Sequence, residues 1–121
     1  MNIVLTRLVL AACLAGLLCK ASAAGDFTVK GVGLYTCREF LEQASRDPAL
    51  VDTIYLSWLM GYLSGTNSAL AAAKNVDVNV GKDVPPETLR NLLVDACRKL
   101  PFKSVFQAGT EVYEELAKPA P

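Results

Sequence analysis

The sequence predicts an all-α fold: a small four-helix bundle around one long central helix, stapled by one disulfide. Three observations carry that expectation. Apolar residues recur at three- and four-residue steps in four separate segments. Capping residues and prolines mark where those segments start. Two cysteines, Cys37 and Cys97, remain once an N-terminal export segment is set aside.

The length of 121 residues is one domain's worth, and 52% apolar with 20% charged residues argues against a disordered chain. Twelve basic and 12 acidic side chains cancel, so no basic stripe speaks for nucleic acid. Histidine is absent, which removes the commonest general base and the commonest zinc ligand.

Residues 1–23 are read as a signal peptide: Arg7, an apolar run from Leu8 to Cys19, and the small-x-small pattern Ala21-Ser22-Ala23 before the cut. The alternative is a lipobox at Leu10–Cys13 with Cys13 lipidated. Only five residues separate Arg7 from Cys13, which argues for the cleavage reading. The mature chain, 24–121, is then a single helical domain with its core at about 34–117, in the periplasm or secreted. Losing Arg7 and Lys20 leaves 10 basic against 12 acidic residues, a charge of −2. In an oxidising compartment two remaining cysteines ordinarily pair. A Cys37–Cys97 bridge over some 60 residues contributes about 4 kcal/mol by loop-closure arithmetic. Two free buried thiols are the alternative reading.

Thr36-Cys37-Arg38-Glu39 fits a capping box, so helix 1 is expected over Cys37–Ser45, with Phe40, Leu41 and Ala44 on the face of Cys37. Asp47 and Pro48 suit the N-cap and first position of helix 2, expected from Pro48 to Lys74. Its Val51, Ile54, Tyr55, Trp58, Leu59, Tyr62, Leu70 and Ala73 recur at helical spacing, while Leu56, Met60 and Leu63 cover much of the other side. A helix apolar nearly all round belongs in the middle of a bundle. Gly61 and Gly65, in a stripe with Ser57 and Ser68, predict that another backbone passes close by. Asp52 and Lys74 bracket 21 uncharged residues containing a GxxxG, which is a transmembrane signal. Ser57, Ser64, Thr66, Asn67 and Ser68 weigh against it, so no membrane span is expected in the mature chain.

Asn75–Asp83 alternates valine with polar residues and reads as a short edge strand or, preferentially, a loop. Helix 3 is expected from Pro85-Pro86-Glu87 to Lys99, with Leu89, Leu92, Leu93, Ala96 and Cys97 inward. Pro101 is expected to end it and begin helix 4, whose Phe102, Val105, Phe106, Gly109, Val112, Tyr113 and Leu116 recur at helical spacing.

Catalytic chemistry is not legible. No histidine activates a serine, and Lys103 beside Ser104 is no Ser–Lys motif. Glu111, Glu114 and Glu115 read as a solvated face, and Gly31-Val32-Gly33 is no phosphate loop but a flexible lead-in to helix 1. Tyr55, Trp58 and Tyr62 share a face that reads as core, with a ligand groove as the alternative. The chain is read as a non-enzyme, with no metal and no cofactor.

Tyr55-Leu56-Ser57-Trp58-Leu59-Met60-Gly61-Tyr62-Leu63-Ser64-Gly65-Thr66-Asn67 resembles the W-x-x-GY-x-x-G-x-N stretch of exported Rap/Tai-type immunity proteins, which neutralise peptidoglycan amidase toxins delivered by type VI secretion. Those belong to a wider helical group similar to the HdeA acid-stress chaperones. The signal peptide, the two cysteine positions and the Val84-Pro85-Pro86 opening of helix 3 also agree, so the resemblance covers Leu34 to Leu116. It implies an HdeA-like bundle, a Cys37–Cys97 disulfide, and a close-packed seam of Trp58, Gly61, Tyr62 and Gly65, with no catalytic residue. It leaves the partner surface open. Loop length and polarity nominate Lys74, Asn75, Asp77, Asn79, Lys82 and Asp83 as the partner-binding loop. The functional expectation is an inhibitor that occludes an amidase toxin. The alternatives are an acid-activated periplasmic chaperone and an exported accessory protein of another partner. A homodimer through Ser57, Gly61 and Gly65 is a further expectation if no other helix covers that stripe.

Overall fold

The computed structural model describes residues 25–119; the expected signal peptide, the Cys13 lipobox and the cleavage position at Ala23 lie outside them. Four helices form: α1 (Cys37–Arg46), α2, α3 (Pro86–Lys99) and α4 (Val105–Leu116). Three continuous stretches make up α2, Pro48–Leu50, Val51–Leu56 and Ser57–Lys74, the middle one wound as a π-helix. The backbone stays right-handed helical at the junction residues Leu50, Val51, Leu56 and Ser57. A 3-10 turn, Gly31–Leu34, precedes α1. The architecture is the all-α bundle with one disulfide that the sequence predicts.

Local chemistry explains the boundaries. Thr36 Oγ1 accepts from the Glu39 amide at 3.2 Å, and the Glu39 carboxylate accepts from the Thr36 amide at 2.7 Å, which closes the capping box of α1. Asp47 Oδ1 accepts from the Leu50 amide at 3.0 Å and starts α2. Asn75, left-handed at φ 53°, stops α2. Helix α4 begins four residues later than Pro101. Ser104 and Gln107 form a second capping box, with the Gln107 amide donating to Ser104 Oγ at 3.2 Å and the Gln107 side chain accepting from the Ser104 amide at 2.9 Å. A turn therefore replaces the expected first turn of α4, and Phe102 stands 74% exposed instead of facing the core.

Residues 76–85 form an irregular loop with a turn at 80–83, not a strand. Among the described residues the sole bridge pairs Thr36 with Ser104, so the alternating valines have no strand edge to pair with. Around that bridge Cys37 N–H donates to the Lys103 carbonyl, Arg38 N–H to Pro101 and Val105 N–H to Tyr35, tying the start of α1 to the turn before α4.

Phe40, Val51, Tyr55, Leu59, Leu93, Val105 and Val112 fill the centre. Cys37 and Cys97, both fully buried, are joined across α1 and α3 with 4.9 Å between their Cα atoms. The spine helix is not buried all round, contrary to the expectation from its apolar pattern, because its neighbours pack on one side of it only. Its buried residues are Val51, Tyr55, Leu56, Leu59 and Leu63, whereas Ile54 and Met60 face solvent. No helix of the described residues is long and apolar enough to cross a membrane.

Candidate partner-binding surfaces

The loop after α2 joins a polar exterior to fixed points inside. Asn67 Nδ2 donates to the Val80 carbonyl at 3.0 Å, and Tyr113 Oη donates to Asn67 Oδ1 at 2.9 Å. Val80 and Val84 pack against the core, and Gly81 turns at φ 78° beside Leu116 and Leu63. That φ favours glycine, and a Cβ there would already touch Leu116 at 3.4 Å. Lys74, Asn75, Asp77, Asn79, Lys82 and Asp83 all project into solvent. The loop is thus tethered by its backbone and by Val80 and Val84, with its polar side chains outward. Asn67, in sequence only one of several polar residues on α2, is its anchor.

The expected seam of Trp58, Gly61, Tyr62 and Gly65 divides. A Cβ on Gly61 or Gly65 would meet no atom within 4 Å, so no backbone of the described residues approaches there. The close approach is made by other glycines. A Cβ on Gly33 would sit 2.8 Å from Trp58 Cε2, and one on Gly109 3.3 Å from Trp58 Cζ3. Trp58 therefore needs Gly33 in the lead-in turn and Gly109 in α4, not the glycines of its own helix. Trp58 Nε1 donates to the Lys30 carbonyl at 3.1 Å. Its ring lies nearly parallel to Tyr62, 5.6 Å between centroids, and Tyr62 meets Phe106 edge-on. Tyr62 Oη hydrogen-bonds Thr110 Oγ1 at 3.0 Å. Both aromatics are half-buried, whereas Tyr55 is core and donates to Gln43 at 3.1 Å.

Gly61, Trp58, Tyr62 and Phe106 also line an open groove of 390 Å³, closed on one side by Phe27 and Val29. The outer side of α2 from Ser57 to Ala73 carries Met60, Gly61, Ser64, Gly65, Ser68, Ala69 and Ala72 in solvent without a charge. A second cleft, 650 Å³, lies between α3 and α4 with Leu92, Asp95, Lys99, Glu111, Glu114 and Lys118 on its walls. Its carboxylates are engaged in part: Glu111 accepts from Lys103 and Glu115 from Lys118.

Lys103 Nζ is buried and bonds Glu111, while Ser104 Oγ serves the α4 cap, so the two side chains form no Ser–Lys pair. Among the described residues no three metal-ligating side chains gather. Hydrogen bonds from Thr36 hold the Glu39 carboxyl below its ordinary value, and Lys118 does the same for Glu115. Burial, with smaller contributions from neighbouring Tyr35 and Glu39, pushes the Tyr55 phenol up; burial, then Tyr62, does so for Tyr113. Arg90 grips Asp52 in a bidentate pair, Nη2 to Oδ2 at 2.6 Å, fixing α3 to the π segment of α2.

In comparisons with known proteins, the chain matches no family model, no curated protein and no solved structure.

Proposed function

We propose that this chain is an exported binding protein of the immunity type, which binds a secreted peptidoglycan amidase and occludes its active site. The observation that carries this reading is the Lys74–Asp83 loop, whose backbone is anchored through Asn67 and Tyr113 while six polar side chains stay free for a partner. A surface already ordered before binding avoids the entropy of ordering on contact. The amidase as partner class comes from the Tyr55–Asn67 resemblance and the two cysteines.

Co-expression with type VI peptidoglycan amidases directed to the periplasm tests it. Growth is expected to be restored by the wild-type chain against at least one such toxin. Alanine at Asp77, Asn79, Lys82 and Asp83 together, which leaves the left-handed cap Asn75 in place, is expected to lose that protection while the helical spectrum is unchanged. Absence of protection and of calorimetric binding across the amidases overturns the inhibitor reading. Protection that survives the four alanines moves the surface away from the loop.

One observation favours the acid-activated chaperone as a second reading. Lys103, with 5% of its side chain exposed, has Glu111 as its ion-pair partner. Loss of that pair leaves an ammonium in the interior without its counter-charge, which destabilises the packed state. Suppression of client aggregation at pH 2–3 and not at pH 7 supports this reading; a chain still native at pH 2 excludes it.

A further inference from the structure

We propose that the corner formed by Arg38, Leu100 and Phe102 is a docking site for a protein segment presenting a carboxylate beside an apolar side chain. The proposal rests on the reading of this chain as a protein-binding module and names a second contact for it, at the opposite end of α4 from the Lys74–Asp83 loop. Twelve residues of α4 separate the two ends, about 18 Å at 1.5 Å per residue.

Three independent features single out this corner. First, Phe102 and Leu100 are 74% and 54% exposed on a turn that is not free to move. The Thr36–Ser104 bridge, the Arg38 N–H to Pro101 bond at 3.0 Å and the Cys37 N–H to Lys103 bond at 2.8 Å hold that turn. The disulfide begins one residue from Arg38. Large apolar side chains held in water on an ordered turn offer area that a partner can bury.

Second, the Arg38 guanidinium lies 4.8 Å from the centroid of the Phe102 ring. Cation–π stacking holds the plane of the guanidinium while its N–H edge stays available for a two-pronged bond to a carboxylate. No carboxylate of the described residues lies within 4.0 Å of it, which is equally true of Lys30, Arg46, Lys74, Lys82 and Lys99; what sets Arg38 apart from these is the aromatic ring it stacks on.

Third, Arg38 sits at the second position of α1, where the helix dipole disfavours a cation. The acidic Glu39 beside it does not answer this charge, because its carboxylate is committed to the Thr36 cap. An arginine at a helix start, without a carboxylate partner and stacked on an exposed phenylalanine, presents a cation and an apolar face side by side. Both features are answered by a partner that supplies an anion and an apolar group side by side.

The test is a nuclear magnetic resonance titration of the full oxidised chain with two capped pentapeptides. One alternates leucine and phenylalanine with aspartate and glutamate; the other carries asparagine and glutamine in their place. Saturable shifts are expected at the Arg38 side chain and at Leu100 and Phe102, with the neutral peptide roughly tenfold weaker. Arg38→Gln and Phe102→Ser, both at exposed positions, are expected to weaken the acidic peptide by a similar factor. Arg38→Lys, which keeps the charge but not the fork, should fall between. Shifts that do not saturate, that centre on Asn75–Asp83 or the Trp58 groove, or that are equal for the two peptides overturn the proposal. Because no amidase enters this experiment, its failure removes the corner and leaves the inhibitor reading to the co-expression assay.

Discussion

The two halves of α2 belong to one continuous helix and meet opposite fates: the first carries nearly all of its large apolar residues, the second only Leu70 among alanines and polar residues. From Val51 to Leu63 the helix supplies Val51, Tyr55, Leu56, Leu59 and Leu63 to the core, and its Asp52 is clamped by Arg90. From Ser64 to Lys74 no residue is fully buried; Leu70 and Ala71 are half-covered, and the outer side is bare of charge. The first half is held because α1, α3 and the lead-in turn pack around it. The second leans on α4 and on the loop through Asn67 alone among its polar residues. A repeat of apolar residues thus states which residues share a side of a helix. How much of that side is covered depends on how many other helices reach it.

The largest break in this contrast comes from the disulfide, which closes the embedded end. Cys37→Ala with Cys97→Ala is expected to cost about 4 kcal/mol, read as a lower urea midpoint. Next is a paired truncation of one leucine from each half. Leu59→Ala, fully buried, should cost about 3 kcal/mol, and Leu70→Ala, half-buried, about 1 kcal/mol. Equal losses would erase the difference between the halves. A gain is expected from Gly61→Ala and Gly65→Ala, about 0.5–1 kcal/mol each, because nothing stands where the new methyl would go. Destabilisation by either would restore the close-packed seam. By contrast Gly33→Ala should destabilise by about 1–3 kcal/mol against Trp58.

The smallest effect is one of pH. Glu39 is held below its ordinary value of 4.5 by its bonds from Thr36. Its stabilisation is therefore fully present above that value and is lost as pH falls through the lowered folded-state pKa. Glu39→Gln should flatten the decline of melting temperature in that acid window and leave the neutral-pH slope unchanged. An identical acid profile in the variant would show that the capping box does not couple to protons.

Much of the fold was legible from particular residues. Thr36 with Glu39, and Asp47 with Pro48, placed the starts of α1 and α2 because capping acts within three residues. The start of α4 is set by Ser104 and Gln107, which carry the same signature, and not by Pro101, so Phe102 falls in the turn and stands in solvent. The polar loop was visible as a polar run, but its anchor was not, since Asn67 and Tyr113 are 46 residues apart and nothing local links them.

By itself the sequence determined four helices, the inner faces of α1 and α3, and two cysteines available to pair, because hydrophobic period, caps and cysteine number are local quantities. Tertiary structure alone decided that Gly33 and Gly109 make room for Trp58, that Gly61 and Gly65 face open space, and that Arg38 lies over Phe102. Those are distances between segments far apart in the chain, and they exist only after the helices have chosen their neighbours.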